Sequence, residues 1–157
     1  MESSKKLFLL DAYALIYRGY YAFIKNPRIN SKGTDTSAIL GFMNSLLEII
    51  RTQSPDYIAV AFDKGGSVTR SEMFTEYKSN RDKTPEPILI AIPYIKEILK
   101  SMNISVLEKE GYEADDVIGT VAKDAENNNF KVYMVTPDKD FAQLVSDNIF
   151  LCKPARM

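Results

Sequence analysis

The sequence predicts a three-layer α/β sandwich built on a mainly parallel central sheet. Short apolar runs of strand length alternate with longer segments in which apolar residues recur every three or four positions, as in amphipathic helices. The short runs are largely apolar throughout, which is typical of strands covered on both faces. Because the 157-residue chain has no repeat or internal boundary, we expect one domain spanning residues 1–157.

Five apolar runs are predicted to form the sheet, at residues 6–10, 57–62, 104–107, 131–136 and 149–152. The first two end directly before an acid, Asp11 and Asp63. The fourth is followed by Pro137-Asp138-Lys139-Asp140. The sequence therefore places carboxylates at the carboxyl ends of at least three strands.

Helices are predicted at residues 12–23, from 36 or 37 to about 50, at 84–102, from about 114 to 127, and at 141–145. Thr36 or Ser37 should cap the second helix, and Pro93 should break or kink the third. Residues 64–83 show little apolar periodicity and are locally basic. We expect this long irregular segment to be functional or mobile.

Composition excludes several kinds of chemistry. The chain contains no histidine, which excludes Ser-His nucleophiles, histidine general bases and histidine-ligated zinc. The single cysteine, Cys152, cannot form an internal disulfide, which favours a reducing, cytoplasmic compartment. The apolar run at residues 7–10 is too short for a signal peptide or a membrane span, and no membrane partner is expected.

The acidic residues predict a metal site. Ligands of parallel α/β sheets bind beyond the carboxyl ends of the strands. One topology would bring up to seven carboxylates to that edge, those of Asp11, Asp63, Glu113, Asp115, Asp116, Asp138 and Asp140. Oxygen ligands without histidine or cysteine favour Mg²⁺ or Mn²⁺. Two such ions would suit an in-line phosphoryl displacement.

Helical geometry sets a condition on this cluster. Within a helix, Glu113 and Asp116 would share a face, whereas Asp115 would point elsewhere. All three carboxylates can approach one metal only if Glu113 lies in the turn before the helix.

Basic and aromatic residues are candidates for contacts with a nucleic acid. Lys78 and Arg81, three residues apart, could bind a scissile phosphate, and Tyr77 beside them could stack on a base. Tyr17-Arg18, downstream of Asp11, could also touch a substrate. From residue types alone, a solvated loop for the first group and core packing for the tyrosine-rich helix remain equally open.

Several motifs occur in a characteristic order along the chain: Leu9-Leu10-Asp11, Tyr17-Arg18, Val60-Ala61-Phe62-Asp63, Arg70, Tyr77-Lys78-Ser79-Asn80-Arg81, Gly111-Tyr112-Glu113-Ala114-Asp115-Asp116 and Thr136-Pro137-Asp138-Lys139-Asp140. In this order they resemble the flap endonuclease family, specifically the amino-terminal 5′–3′ exonuclease domain of bacterial DNA polymerase I. The resemblance extends over nearly the whole chain. It implies a PIN-like, resolvase-like fold.

The resemblance also implies roles for individual residues. The seven acids match the family's metal ligands, which hold two Mg²⁺ or Mn²⁺ ions. Lys78 and Arg81 match the basic pair of an arch or gateway at residues 64–83, where they contact the scissile phosphate, and Arg70 matches a substrate-binding residue at its start. The implied substrates are DNA with 5′ flaps or nicks and RNA primer–DNA junctions, cleaved in replication and repair by a monomeric bacterial protein.

Two features depart from the family pattern. Asp11 is followed by Ala12, where the family usually has glycine. The chain stops at Met157, where the family continues into a further acid pair and a helix–hairpin–helix region. The resemblance therefore implies a fragment of a longer polymerase that holds its second metal ion poorly. Two alternatives stay open, a PIN-type single-strand ribonuclease and a catalytically incomplete nucleic-acid-binding fragment.

Overall fold

The computed structural model describes residues 3–64 and 84–154 of the chain. In this part of the chain the strands are β1 Lys6–Asp11, β2 Tyr57–Ala61, β3 Ser105–Leu107, β4 Lys131–Val135 and β5 Ile149–Cys152. The helices are α1 Ala12–Ala22, α2 Ser37–Gln53, α3 Glu86–Ser101 and α4 Ala114–Asn127, with a 3-10 helix at Lys139–Leu144. Every pair of neighbouring strands is parallel, which confirms the predicted α/β architecture.

The strand order β3-β2-β1-β4-β5 places the first strand at the centre of the sheet. The chain builds outward from β1 on one side and then crosses to build the other side. Leu9 of β1 accordingly pairs with Ala59 of β2 and with Met134 of β4. The carboxyl ends of β1, β2 and β4 are therefore adjacent, at the point where such sheets bind their ligands.

Helices cover the two faces of the sheet and complete the three layers. Phe8 and Leu10 of β1 are buried in one core with residues of α1, α2 and α3. Leu9, between them, points to the opposite face and is buried with Ile118 and Ala122 of α4. This alternation along one strand explains why β1 is apolar throughout.

Helices α1 and α2 cross at a pair of glycines. A Cβ built on Gly19 would lie 2.8 Å from the Cα of Gly41, and one built on Gly41 would overlap the Cα of Gly19. Neither position has room for a side chain. The close approach fixes α1, and with it Asp11 at the start of that helix, against the rest of the layer.

Helix α3 continues through Pro93 as a single element, so the helix is not broken there, and a kink at Pro93 stays a prediction. Proline removes one backbone hydrogen bond but need not end a helix whose other residues are held by packing. Ile88, Ala91, Ile95 and Leu99 are all buried on the two sides of Pro93. Burial of this apolar stripe maintains the helix.

Smaller differences concern element ends. The predicted helix at residues 141–145 is a 3-10 helix that begins earlier, at Lys139, because Asp138 accepts a hydrogen bond from Asp140 N–H. Thr36 is the N-cap of α2, but its side chain does not cap the helix. Instead the carboxylate of Asp35 accepts a hydrogen bond from Ser37 N–H. Among the described helices, none has the length and apolar character that crossing a membrane requires.

Candidate metal centre

Asp11 and Asp63 lie at the carboxyl ends of β1 and β2, as predicted. Asp11 is the last residue of β1 and the N-cap of α1, and its Oδ1 accepts a 3.5 Å hydrogen bond from Ala14 N–H. Asp63 follows β2, and its Oδ1 accepts a 2.5 Å hydrogen bond from Ala114 N–H. Asp63 thus connects the end of β2 directly to the first residue of α4.

The acid-rich turn places Glu113 before the helix, as the geometry of the cluster requires. Gly111 has a φ of +81°, a conformation suited to glycine, and turns the chain toward α4. Glu113 is the extended N-cap of that helix and lies before its first turn, which starts at Ala114. One carboxylate oxygen each of Glu113, Asp115 and Asp116 lie within 4.8 Å of one another. The turn therefore brings all three acids to one point.

Backbone N–H groups hold this turn in place. Glu113 N–H donates to Asp116 Oδ2 at 3.3 Å, in a capping-box arrangement, and Asp116 N–H donates to Asp115 Oδ1 at 2.8 Å. The acids also occupy the positive end of the α4 dipole. These contacts compensate part of the negative charge that the three carboxylates bring together.

The end of β4 contributes a third set of groups. Thr136 is fully buried, and its hydroxyl donates to Asp11 Oδ2 at 3.1 Å. The threonine oxygen also accepts a 3.2 Å hydrogen bond from Asp138 N–H. Asp138 Oδ1 in turn accepts from Asp140 N–H at 2.9 Å.

The acids that follow β4 are exposed and lie near the acid-rich turn. Asp140 lines a pocket of about 380 Å³ together with Asp115 and Asp116.

Burial and the neighbouring acids raise the pKa of Asp11. Burial raises the pKa of Asp11 from 3.8 to about 6, opposed by the hydrogen bonds from Thr136 and Ala14. The negative charges of Asp63 and Asp138 raise the pKa further. Asp11 is thus electrostatically coupled to acids on both neighbouring strands, and a bound cation would relieve the repulsion.

The donor set fits a hard divalent cation. Among the described residues, Glu113, Asp115 and Asp116 form the group compact enough to share one ion. Their donors are carboxylate oxygens, which suit Mg²⁺ or Mn²⁺ better than zinc. The four other candidate acids, Asp11, Asp63, Asp138 and Asp140, lie outside that group, and their role as ligands stays a prediction.

The predicted substrate-binding residues of α1 have partners within the chain. Tyr17 O–H donates to Thr84 Oγ1 at 3.2 Å, and its ring stacks on Tyr21. Arg18 Nη1 donates to the carbonyl oxygen of Pro154 at 2.9 Å. Tyr17 therefore lies beside the residue at which the described chain resumes after the basic segment. The other predicted contacts, Arg70, Tyr77, Lys78 and Arg81, fall outside the described residues.

Sequence reasoning missed Thr136 as a residue of the site. It was assigned to the end of a strand, and nothing in its residue type distinguishes it from other threonines there. The available signal was a hydroxyl group that follows four apolar or aromatic residues and precedes Pro137-Asp138 at the ligand-binding edge. Its bond to Asp11 joins residues 125 positions apart, which local sequence does not reveal.

Comparison with known proteins identifies the family. The sequence profile described as 5′–3′ exonuclease, N-terminal resolvase-like domain, matches residues 6–157. A 5′–3′ exonuclease of Aquifex aeolicus (strain VF5) is 42% identical over 150 residues, which are 96% of this chain and 51% of that protein. DNA polymerase I of Bacillus subtilis (strain 168) is 42% identical over 148 residues, 94% of this chain and 16% of that protein. The chain thus spans about half the length of the first relative and much less of the second.

Solved structures share the fold. The T5 D15 protein co-crystallised with metal ions superposes with a TM-score of 0.74 at 21% identity, over 95% of this chain and 55% of that one. A variant of the bacteriophage T5 D15 flap endonuclease, in a complex with DNA and metal ions, gives 0.66 at 22% identity with the same coverage. This likeness confirms the predicted resolvase-like architecture. Because the profile matches almost the whole sequence, the chain belongs to the family of amino-terminal, resolvase-like domains of 5′–3′ exonucleases.

Proposed function

We propose that this chain is the metal-binding, catalytic part of a structure-specific 5′–3′ exonuclease that hydrolyses phosphodiester bonds of DNA. The observation that carries the proposal is the convergence of the Glu113, Asp115 and Asp116 carboxylates within 4.8 Å, beside Asp63. Membership of the 5′–3′ exonuclease family supports it. The chain covers only part of the length of its relatives, and the activity of a whole protein that contains such a domain is part of this proposal.

Each group of acids would have a separate task. Glu113, Asp115 and Asp116 would hold one Mg²⁺ or Mn²⁺ ion, and Asp11, Asp63, Asp138 and Asp140 would complete a two-ion site. Bound divalent ions lower the pKa of water and neutralise the charge that develops on the attacking and leaving oxygens. The backbone hydrogen bonds to the acids preorganise the ligands, so that little rearrangement accompanies binding.

The substrate would be DNA with 5′ flaps or nicks, together with RNA primer–DNA junctions. The names of the relatives support a DNA substrate, since they include DNA polymerase I and a flap endonuclease in complex with DNA. Lys78 and Arg81 would contact the scissile phosphate, and Arg70, Tyr77, Tyr17 and Arg18 would bind flanking DNA. We further propose that the protein is monomeric and cytoplasmic, and that polymerase domains follow this domain in its parent chain.

A flap-cleavage assay tests the proposal. A 5′-labelled flap duplex, a nicked duplex and a single-stranded RNA are incubated with the protein in Mg²⁺, Mn²⁺ or EDTA. We expect metal-dependent release of short 5′ products from the flap and the nick. Cleavage of single-stranded RNA without preference for a junction would instead identify a ribonuclease, and binding without products would identify a non-catalytic module.

A matched pair of variants assigns the cleavage to this site. Removing a residue that only hydrogen-bonds to a metal ligand lowers activity roughly 10–100-fold. Asp115 is proposed as a ligand itself, so Asp115→Asn should lower the cleavage rate by more than that. Asp124→Asn makes the same change at an exposed position on the same helix and should leave the rate unchanged. Equal rates for the two variants would contradict the assignment of Asp115 as a ligand.

A further inference from the structure

We infer that Thr136 is a positioning residue that sets the placement of Asp11 relative to Asp138 at the metal site. The inference rests on the proposed function, because it concerns two of the acids that the function requires. Thr136 follows β4 directly and is fully buried, whereas Asp138, two residues later, is exposed. Thr136 therefore lies between the buried end of β4 and the exposed acids that follow it.

When Asp11 is ionised, the direction of both hydrogen bonds to the Thr136 side chain is fixed. A backbone N–H can only donate, so in the 3.2 Å contact with Asp138 N–H the threonine oxygen is the acceptor. The hydroxyl hydrogen is then available for Asp11 Oδ2, at 3.1 Å. One side chain therefore accepts from the backbone of one candidate ligand and donates to the carboxylate of the other.

The bond to Asp11 crosses between two adjacent strands. Asp11 ends β1, and the residue before it, Leu10, pairs with Val135, the residue before Thr136. The backbone of Thr136 is also held from the other side, because its N–H donates to the carbonyl oxygen of Cys152 in β5 at 3.2 Å. Thr136 is thus tied to both neighbouring strands, which makes it a rigid reference for Asp11.

The hydrogen bonds that start at Asp11 extend through Thr136 and Asp138 to a further acid, Asp140. Asp138 Oδ1 accepts from Asp140 N–H, so that three acids and Thr136 form one continuous chain of hydrogen bonds. The contact between Asp11 Oδ1 and Ala14 N–H is 3.5 Å long, so the Thr136 hydroxyl is the closer of these two partners of Asp11. Loss of the hydroxyl would leave Asp11 with only the longer of these two hydrogen bonds and would remove the acceptor of Asp138 N–H.

Two substitutions separate the hydroxyl from the rest of the side chain. Thr136→Val removes the hydroxyl and keeps the shape, whereas Thr136→Ser keeps the hydroxyl and removes the methyl group. Mn²⁺ affinity is measured by titration calorimetry on the full chain, and kcat and KM on the flap duplex. We expect Thr136→Val to weaken Mn²⁺ binding roughly 10-fold or more and to lower kcat with little change in KM. Thr136→Ser should stay within about twofold of wild type in each quantity.

Two results of these measurements would overturn the inference. The first is a wild type that binds Mn²⁺ and a Thr136→Val variant that binds it with the same affinity. The second is an equal loss in folded Thr136→Val and Thr136→Ser, which would point to the methyl group. The Thr136→Ser variant, with its smaller change, keeps the inference testable if Thr136→Val does not fold, because a large loss of Mn²⁺ affinity in Thr136→Ser would also contradict it.

A double-mutant cycle tests the contact without metal and without cleavage. Urea unfolding in EDTA is compared for wild type, Thr136→Val, Asp11→Ala and the double variant. We expect the two positions to be coupled by at least about twofold in the unfolding equilibrium constant. Additive effects would overturn the inference even in an active nuclease. If coupling is present but the wild type binds no Mn²⁺, the proposed function is wrong while the Thr136–Asp11 contact stands.

Discussion

Asp11 shows how one buried residue links the site to the stability of the domain. Its pKa is raised from 3.8 to about 6, chiefly by burial. The folded state therefore binds this proton more tightly than the unfolded state. Protonated Asp11 therefore stabilises the folded state relative to ionised Asp11. This contribution to the free energy of unfolding is fully present below about pH 4 and is lost as the pH rises through about 6. At neutral pH, ionised Asp11 destabilises the metal-free protein.

We predict that Asp11→Asn stabilises the metal-free protein at pH 7.5 by up to about 3 kcal/mol, and much less at pH 4. The amide carries no charge and keeps one acceptor oxygen, but its NH2 group cannot accept the second of the hydrogen bonds from Ala14 N–H and the Thr136 hydroxyl, which makes the stated value an upper limit. Urea unfolding in EDTA at the two pH values measures the difference, with Asp124→Asn as an exposed control on α4. The same effect at both pH values would mean that the substitution acts through packing rather than charge.

The positions of some residues of the site could be predicted from the sequence, and those of others could not. Asp11 and Asp63 could be predicted because each follows an apolar strand, and the strand rule places both at one edge. The role of Glu113 could be stated only as a condition, since it depends on where α4 begins. The hydrogen bond of Thr136 to Asp11 could not be predicted, because it joins residues 125 positions apart at the ends of two different strands.

At the scale of elements, the crossing of α1 and α2 constrains the site through two glycines. A side chain at Gly41 would meet the backbone of Gly19, which cannot move without shifting a whole helix. At Gly119 of α4, by contrast, a Cβ would meet Leu144 Cδ1 at 3.3 Å, the flexible end of a side chain. The same substitution should therefore have opposite effects at the two positions.

We predict that Gly41→Ala destabilises the protein by about 1–3 kcal/mol or more, because the two helices must separate. Gly119→Ala should be neutral or stabilising by up to about 1 kcal/mol, because alanine favours the helix. Chemical denaturation of the metal-free proteins measures both. A loss of stability at Gly41 no larger than at Gly119 would show that the crossing has room for a methyl group.

Elements with regular patterns were predicted well, and those decided by tertiary contacts were not. The strand at residues 57–62 and the helix ending near 127 were recognised from apolar runs and periodicity. Pro93 was expected to break or kink α3, and a break is absent because the buried stripe on both sides of Pro93, which local rules for proline do not include, maintains the helix. The 3-10 helix at Lys139–Leu144 depends on the Asp138 side chain, which periodicity does not describe.

For the molecule as a whole, metal binding should act as a stabilising ligand. Folding brings acids that follow three different strands to one edge of the sheet, and the unfolded chain does not hold them together, so a cation that binds them favours the folded state. At a free Mn²⁺ concentration of about 100 times Kd, this adds about 2.7 kcal/mol to the free energy of unfolding.

We predict that Mn²⁺ raises the Tm of the wild type and that excess EDTA reverses the rise. Asp124→Asn should retain the shift, and Asp115→Asn should lose most of it. Thermal unfolding followed by circular dichroism, across a series of Mn²⁺ concentrations, provides the measurement. A Tm independent of Mn²⁺ would contradict a metal site at these acids, whatever the cleavage assay shows.

The backbone contacts of the acids also have an evolutionary consequence. Asp11, Asp63, Asp115, Asp116 and Asp138 each accept a hydrogen bond from a backbone N–H. Asparagine offers the same oxygen to such a donor, and a single nucleotide change converts an aspartate codon into an asparagine codon. A descendant of this domain can therefore lose one of these carboxylate charges in a single step and keep its architecture. A domain with the same surface and a weaker version of the proposed metal site is thus one substitution away.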